Sequence, residues 1–405
     1  MNLTLTPNEK AYLRNLAKQQ LELSQLPIMQ ERARDWTLHN DLKGTKPMIN
    51  FEMWTVQDKG FNPVCTCESE AARNIEGALL GAMANHNMVG DDRVVADEFV
   101  CHYRAKLVPF DMPAKREETD GFGFHIISQI DDLNTTALIK PSAISYDLEA
   151  SHSWRDFVNE QIGDILPVRM GMGSFYACLT NDIVQRMTME NMFIAMLDSP
   201  DNFHFMVESI SDDYVRFFKG LESRGMIHAN NKNDALNQGS YGFCSHLPDI
   251  AAKTTDCWGY MDSQETVGVS ADMFAEFFFP YYKKVADCFG LLSYGCCEPV
   301  HEVWEKSISK FANLRKLSIS PWCNEEYMGS ALRDRDVIYL RKPSPLYFSS
   351  GTIDEDAFRQ HIRKTINAAA GCKLEFAFRD VYNLEGDITK PRRAVEILRE
   401  EIENQ

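Results

Sequence analysis

The chain has 405 residues, 44% of them hydrophobic and 25% charged, which is ample apolar material for a folded core. Its formal net charge of −17 and pI of about 5.1 argue against phosphate-backbone binding, which needs a concentrated cationic surface. No cationic-then-apolar leader, no apolar stretch near the roughly 20 residues of a membrane span, and an odd count of eleven cysteines together predict a cytoplasmic protein with reduced thiols, partnered by neither membrane nor nucleic acid.

In chain order, residues 1–45 read as helices packed outside one large domain over 46–405. Segment 47–52 reads as the first strand, and 165–170 as another. Between them, 90–142 mixes Pro, Gly and charge without periodicity and is expected to form an insertion over the mouth of the domain. Ser199-Pro200-Asp201 reads as a helix start; apolar residues then recur at 3–4 spacing from Phe203 to Leu221, and Gly225 can end the helix. Segment 226–229 follows as a short strand candidate. Ser270 is expected to cap a helix that Pro280 kinks and Gly290 stops. Strand 291–294 runs into Gly295-Cys296-Cys297-Glu298, a helix is expected over about 301–311, and strand 314–320 ends at Pro321-Trp322-Cys323. Strand 337–340 leads to Arg341-Lys342-Pro343. Thr352-Ile353-Asp354-Glu355 reads as a capping box before a helix with Phe358, Ile362 and Ile366 inward. Strand 373–378 ends at Arg379-Asp380, and Pro391 opens a last helix burying Val395, Leu398 and Ile402.

Repeated strand–loop–helix units with short apolar strands require a parallel sheet covered by helices. The pattern alone also admits a doubly wound open sheet. A (β/α)8 TIM barrel is favoured because unusual polar residues repeatedly sit just after strands, where barrel active sites are built. No internal repeat or low-complexity tract interrupts the chain.

Several strings then carry a resemblance: Tyr294-Gly295-Cys296-Cys297-Glu298-Pro299, Leu314 through Trp322, Lys342-Pro343-Ser344-Pro345, Cys257-Trp258-Gly259-Tyr260 with Ser263-Gln264-Glu265, and Gly163 through Val168. In their order and spacing the chain resembles the uroporphyrinogen decarboxylase-like superfamily. The porphyrinogen decarboxylases of that group carry paired arginines on the first strand, whereas Met48 through Trp54 has none. The resemblance therefore points to the methyltransferase branch, which implies a zinc ion, a small methylated substrate and a corrinoid carried by a partner protein. Members with a methyl-accepting thiol hold zinc by His-x-Cys after one strand and a second Cys after the last. Here Tyr294, Cys296 and Asp380 stand at those positions, so one of three matches.

On their own chemistry, Cys296, Cys297 and Glu298 are the leading metal ligands, because thiolates and carboxylates bind zinc and these follow a strand. Cys323 is a further ligand candidate, with His228, His246, His301 and Asp380 as others. A zinc with an open position would act as a Lewis acid on an ether oxygen or amine nitrogen. Glu52 and Asp380 are expected to orient substrate. Tyr294 and Trp322 are candidates for an aromatic wall, Asn231 and Gln238 for hydrogen bonds to ligand, and Arg341 and Lys342 for a substrate carboxylate. Cys65, Cys101, Cys178, Cys257, Cys288 and Cys372 read as space-filling residues.

Three functions follow. The first is a zinc-dependent methyltransferase moving a methyl group from a small substrate, a methoxylated aromatic before a methylamine, to a corrinoid protein. The second is a decarboxylase of a small carboxylic acid held by Arg341, Lys342 or Arg169. The third is a barrel that only binds a corrinoid partner; a homodimer is compatible with all three.

Overall fold

The computed structural model describes residues 2–119, 123–349 and 351–404; positions 120–122, inside the expected 90–142 insertion, lie outside them. Local signals set most helices. Pro200 opens the helix Pro200–Ser223, which buries Phe203, Met206, Ile210, Phe218 and Leu221, and Gly225 leaves it at φ +64°. Ser270 caps Ala271–Phe277 by accepting from the Met273 amide. The chain breaks at Phe278, and Pro280 lies in the first turn of a second helix, Phe279–Ala286, since a proline further inside would cost a hydrogen bond.

Two expectations for helices differ. Asp354, not Thr352, caps the helix Glu355–Ala368, accepting from the Ala357 amide. Segment 301–311 forms only the short 3-10 turns Val300–Glu302 and Ile308–Lys310. Phe311 there packs between Phe279 at 5.3 Å and Tyr294 at 5.4 Å, contacts that take the place of a continuous helical stripe.

Thirteen strands appear among the described residues: β1 (Met48–Phe51), β2 (Phe99–His102), β3 (Arg104–Val108), β4 (Arg116–Glu118), β5 (Phe124–Ile126), β6 (Ala143–Asp147), β7 (Val168–Gly171), β8 (Phe175–Ala177), β9 (Trp258–Met261), β10 (Leu291–Tyr294), β11 (Leu314–Ile319), β12 (Ile338–Arg341) and β13 (Lys373–Phe378). Seven of them make one sheet in the order β1-β13-β12-β11-β10-β9-β8. Every pairing in it is parallel, so all seven C-terminal ends share one rim. β2 pairs in parallel with β7, while β3–β6 and β4–β5 are antiparallel pairs. The strand expected over 165–170 is thus β7, outside the main sheet, and β8 takes the place beside β9.

Alternation along the strands divides apolar from polar. Ile49, Phe51, Leu317, Ile319, Phe376 and Phe378 join the large core under the helices. The intervening residues carry the polar groups: Asn50 and then Glu52, Lys316, Glu375 and Arg379. Deep on that face the Lys316 Nζ meets Glu375 Oε2 at 2.9 Å, both side chains fully buried.

One strand candidate of the sequence is not formed. Segment 226–229 has no strand pairing. Instead the Asn230 side chain accepts from the Trp258 amide at 2.8 Å and donates to its carbonyl at 3.0 Å, standing in for a strand neighbour. Beyond it Asn237, Gln238 and Gly239 all take left-handed φ, which no strand accommodates. The outer edge of β1 is likewise closed by side chains. Asp92 and Asp91 accept from the Ile49 and Phe51 amides, each at 2.9 Å, and Asn85 donates to the Phe51 carbonyl at 2.7 Å. Among the described residues no helix is long and apolar enough to cross a membrane.

Candidate functional site at the strand-terminal rim

Five of the seven main-sheet strands hand a polar residue to the rim as they end. Glu52 follows β1, Asp262 follows β9, Gly295-Cys296-Cys297-Glu298 follows β10, Lys342 follows β12, and Arg379-Asp380 follows β13. Gly295 makes the turn after β10 at φ +99°, with Ser318 Cβ 3.0 Å from where a side chain would start.

These groups form a connected row. Cys297 Sγ stands 3.6 Å from Cys296 Sγ and 3.6 Å from Asp380 Oδ2. Arg379 Nε lies 3.5 Å from Asp380 and 3.4 Å from Glu52 Oε2. Lys342 Nζ donates to Gln238 Oε1 and, at 2.8 Å, to the Cys296 carbonyl. Hydrogen bonding from Cys296 lowers the Cys297 thiol, and the Lys342 and Arg379 charges act the same way. Cys296 itself is raised, first by donating to Cys297 and then by burial. Burial pushes the Glu52 carboxyl up against the pull of Arg379 and Lys342. Arg379 Nε and Nη1 and Glu52 Oε2 are buried without a hydrogen bond, because the two side chains approach without aligning.

The expected zinc ligands do not converge as one set. Both Glu298 oxygens are occupied, accepting from the Ser263 amide at 2.9 Å and the Cys296 amide at 2.8 Å. Burial, then the Asp262 charge, pushes its carboxyl up to about 7, so it braces the turn. Cys323 packs behind it, 3.7 Å from the Glu298 carbonyl. Cys296, Cys297 and Asp380 do come together, but their three donor atoms do not close into a mutual cluster.

The other candidates divide. Gln238 joins Lys342. Tyr294 is fully buried and its hydroxyl bonds Ser263 Oγ at 2.6 Å, tying two strand ends. Trp322 is 66% exposed on an outer groove with Leu346 and Tyr347. Asn231 donates to the Leu247 carbonyl at 3.0 Å and holds a loop. Arg341 points away from the mouth, donating to the Ser320 carbonyl at 2.6 Å and Glu325 at 2.8 Å. Arg169 is paired with Glu98 at 2.6 Å and Asp234 at 3.0 Å. Of the histidines, His301 accepts from the Asn324 amide at 3.4 Å and His246 faces Arg315 at 3.0 Å, both off the rim cluster.

Beside the end of β1 lies a cavity of about 310 Å³, lined by Asn50, Glu52, Trp54, Arg93 and Tyr241 among others. Asn50 Oδ1 and Glu52 Oε2 face no hydrogen-bond partner. Glu52 therefore belongs both to this cavity and to the rim row.

The sequence reading missed Arg379, Asp262, Glu265 and Cys178. Arg379 and Asp262 directly follow strands, so the strand-end rule that picked out Glu52 applies to them equally. Cys178, read as space-filling, lies one residue past β8 with its sulfur 3.2 Å from the Asp262 carbonyl and 3.7 Å from Glu265 Oε2. Among the described residues, Cys178, Asp262 and Glu265 are the group whose ligand atoms all lie within 4.8 Å of one another, and all three are buried.

No family model matches this chain, and no curated protein matches it. Among solved structures it is similar to a B12-independent methionine synthase from Shewanella sp. W3-18-1 in complex with selenomethionine, at TM-score 0.39 and 10% identity over 88% of this chain and 96% of that one. It is more similar to a methyltransferase from Methanosarcina mazei, at TM-score 0.51 and 11% identity over 92% of this chain and 98% of that one. At that identity the likeness speaks for the fold, a mixed α/β architecture of TIM-barrel type with a parallel central sheet.

Proposed function

We propose that this chain is a cytoplasmic (β/α)8-barrel methyltransferase that takes a methyl group from a small methoxylated aromatic compound. The observation that carries the reading is the row Glu52–Arg379–Asp380–Cys297 on the rim of a fold shared with a methyltransferase. The cavity of about 310 Å³ suits a single substituted ring, with Tyr241 and Trp54 as its aromatic lining.

Demethylating an ether leaves charge on the departing oxygen. Glu52, raised by burial and with Oε2 free of hydrogen bonds, can hold a proton and deliver it to that oxygen. Lys342 and Arg379 supply positive potential where the charge develops. A zinc ion held at the rim by Cys297 with Cys296 or Asp380 would supply Lewis acidity for a leaving oxygen. A reduced corrinoid carried by a partner protein supplies the methyl acceptor.

The test is release of the free phenol from a panel of methoxylated aromatics, using full-length protein with and without Co(I) cobalamin. Cobalamin-dependent phenol is expected; a panel that yields none sinks the reading.

The unaligned donors of Arg379 favour a second reading, decarboxylation of a small carboxylic acid. Arg341 and Arg169 are engaged elsewhere, so Lys342 and Arg379 would hold that carboxylate. Carbon dioxide release without cobalamin would select it.

A further inference from the structure

Past the ends of β8 and β9 two carboxylates and a thiol are packed out of solvent. Cys178 is 2% exposed, Asp262 3% and Glu265 5%. Carboxylates buried to this degree ordinarily sit against a basic side chain or a metal ion. Here every hydrogen-bond partner is neutral, and the Lys342 charge acts on Asp262 without a direct contact. Asp262 Oδ2 accepts from the Tyr260 hydroxyl at 2.6 Å and the Tyr176 hydroxyl at 3.4 Å. Glu265 accepts from the Thr180 hydroxyl at 2.8 Å and the Asn181 amide at 2.7 Å. Among the described residues no lysine, arginine or histidine forms an ion pair with either acid.

Asp262 Oδ1 is buried with no hydrogen-bond partner at all. A proton there would not resolve this, because it would leave a buried O–H with no acceptor. A proton on Oδ2, donated to a Tyr260 hydroxyl that turns to the Gly295 carbonyl at 3.3 Å, would remove the charge but leave Oδ1 unpaired. A cation bound by the carboxylate satisfies both the charge and the unfilled oxygen. The thiol decides which cation: magnesium and calcium take oxygen donors, whereas one sulfur with two carboxylates suits zinc and its transition-metal neighbours.

We propose that Cys178, Asp262 and Glu265 form a divalent transition-metal site, with zinc as its ion. It lies past β8 and β9, beside the β10 turn that carries Cys296 and Cys297, with ligands other than those the sequence motifs indicate. The site does not require methyl transfer to be the reaction.

Full-length protein freed of metal is titrated with Zn²⁺ alone and with Co²⁺ alone, and metal content is counted per chain. One equivalent is expected, with a thiolate-to-cobalt charge-transfer band in the Co²⁺ form. Cys178→Ser should abolish that band, and both Cys178→Ser and Glu265→Gln should weaken binding by at least ~100-fold, as loss of a direct ligand exceeds outer-shell effects. The double variant Cys296→Ser/Cys297→Ser should keep both affinity and band. Glu265→Gln preserves shape and one acceptor, so it remains informative if Cys178→Ser does not fold, which circular dichroism reads. A wild-type protein that binds neither ion overturns the proposal. So does a band that survives Cys178→Ser and vanishes in the double variant, or unchanged binding in Glu265→Gln. Since none of these readouts uses turnover, a protein that binds the ion but demethylates nothing would refute the proposed function and leave the site standing.

Discussion

Glu52 shows how one residue acquires a role from what surrounds it. On the sequence it is an acid after a strand; in the fold it borders both the cavity beside β1 and the charged row of the rim. Burial raises its carboxyl above the ordinary 4.5. If the protonated form donates to the leaving oxygen, activity is present below the raised value and lost as pH climbs through it. Glu52→Gln should lower kcat by ~100-fold or more and remove that alkaline limb, because an amide of the same shape binds substrate but cannot pass a proton. A variant that keeps the wild-type pH profile at reduced rate would assign Glu52 to packing instead. Arg379 was as legible as Glu52 by position, but its importance lies in alignment: two donors near carboxylates and bonded to neither.

At the scale of elements, β11 and β13 are held together from inside by Lys316 and Glu375, with His39 Nε2 3.3 Å from the same carboxylate. Burial alone would raise Glu375, yet the Lys316 charge and the His39 contact bring it down to about 2 from an ordinary 4.5. A depressed carboxyl stabilises the fold fully above its unfolded value, and that stability drains away as pH falls from about 4.5 toward 2. Glu375→Gln leaves a buried ammonium without its carboxylate and should cost about 3–5 kcal/mol at neutral pH, with a shallower acid limb in denaturant melts. Equal losses at pH 7 and pH 3 would contradict this account. The helices tell a complementary story. Pro200, Ser270 and Pro280 act within a few residues of themselves, so they were readable; segment 301–311 was not, because its apolar residues are claimed by Phe279 and Tyr294 from other elements.

For the whole molecule, the side of the sheet between β1 and β8 is the distinctive feature. A strand edge with open amides invites further pairing. Here Asp91, Asp92 and Asn85 occupy those positions, and Arg399 anchors Asp92 at 2.8 Å. Asp91→Ala should leave the Phe51 amide buried and unpaired, cost ~1–3 kcal/mol and quicken hydrogen exchange at β1, while β11 and β12 are unaffected. Unchanged exchange at Phe51 would show that the carboxylate does not carry this edge.

What the amino-acid order decided alone was the alternation of strands and helices and the placing of Glu52, Cys296, Cys297, Lys342 and Asp380 just past strand ends. Those features depend on periodicity and on caps and breakers acting over a few residues. Which side chains meet was settled only by the assembled sheet. Cys178 and Asp262 are 84 positions apart yet share a hydrogen bond, Glu298 ties its own loop to the Ser263 amide past β9, and segment 226–229 gave up its strand to a side chain of Asn230. Partnerships across such distances are set by sheet register and packing, which no local window of sequence contains.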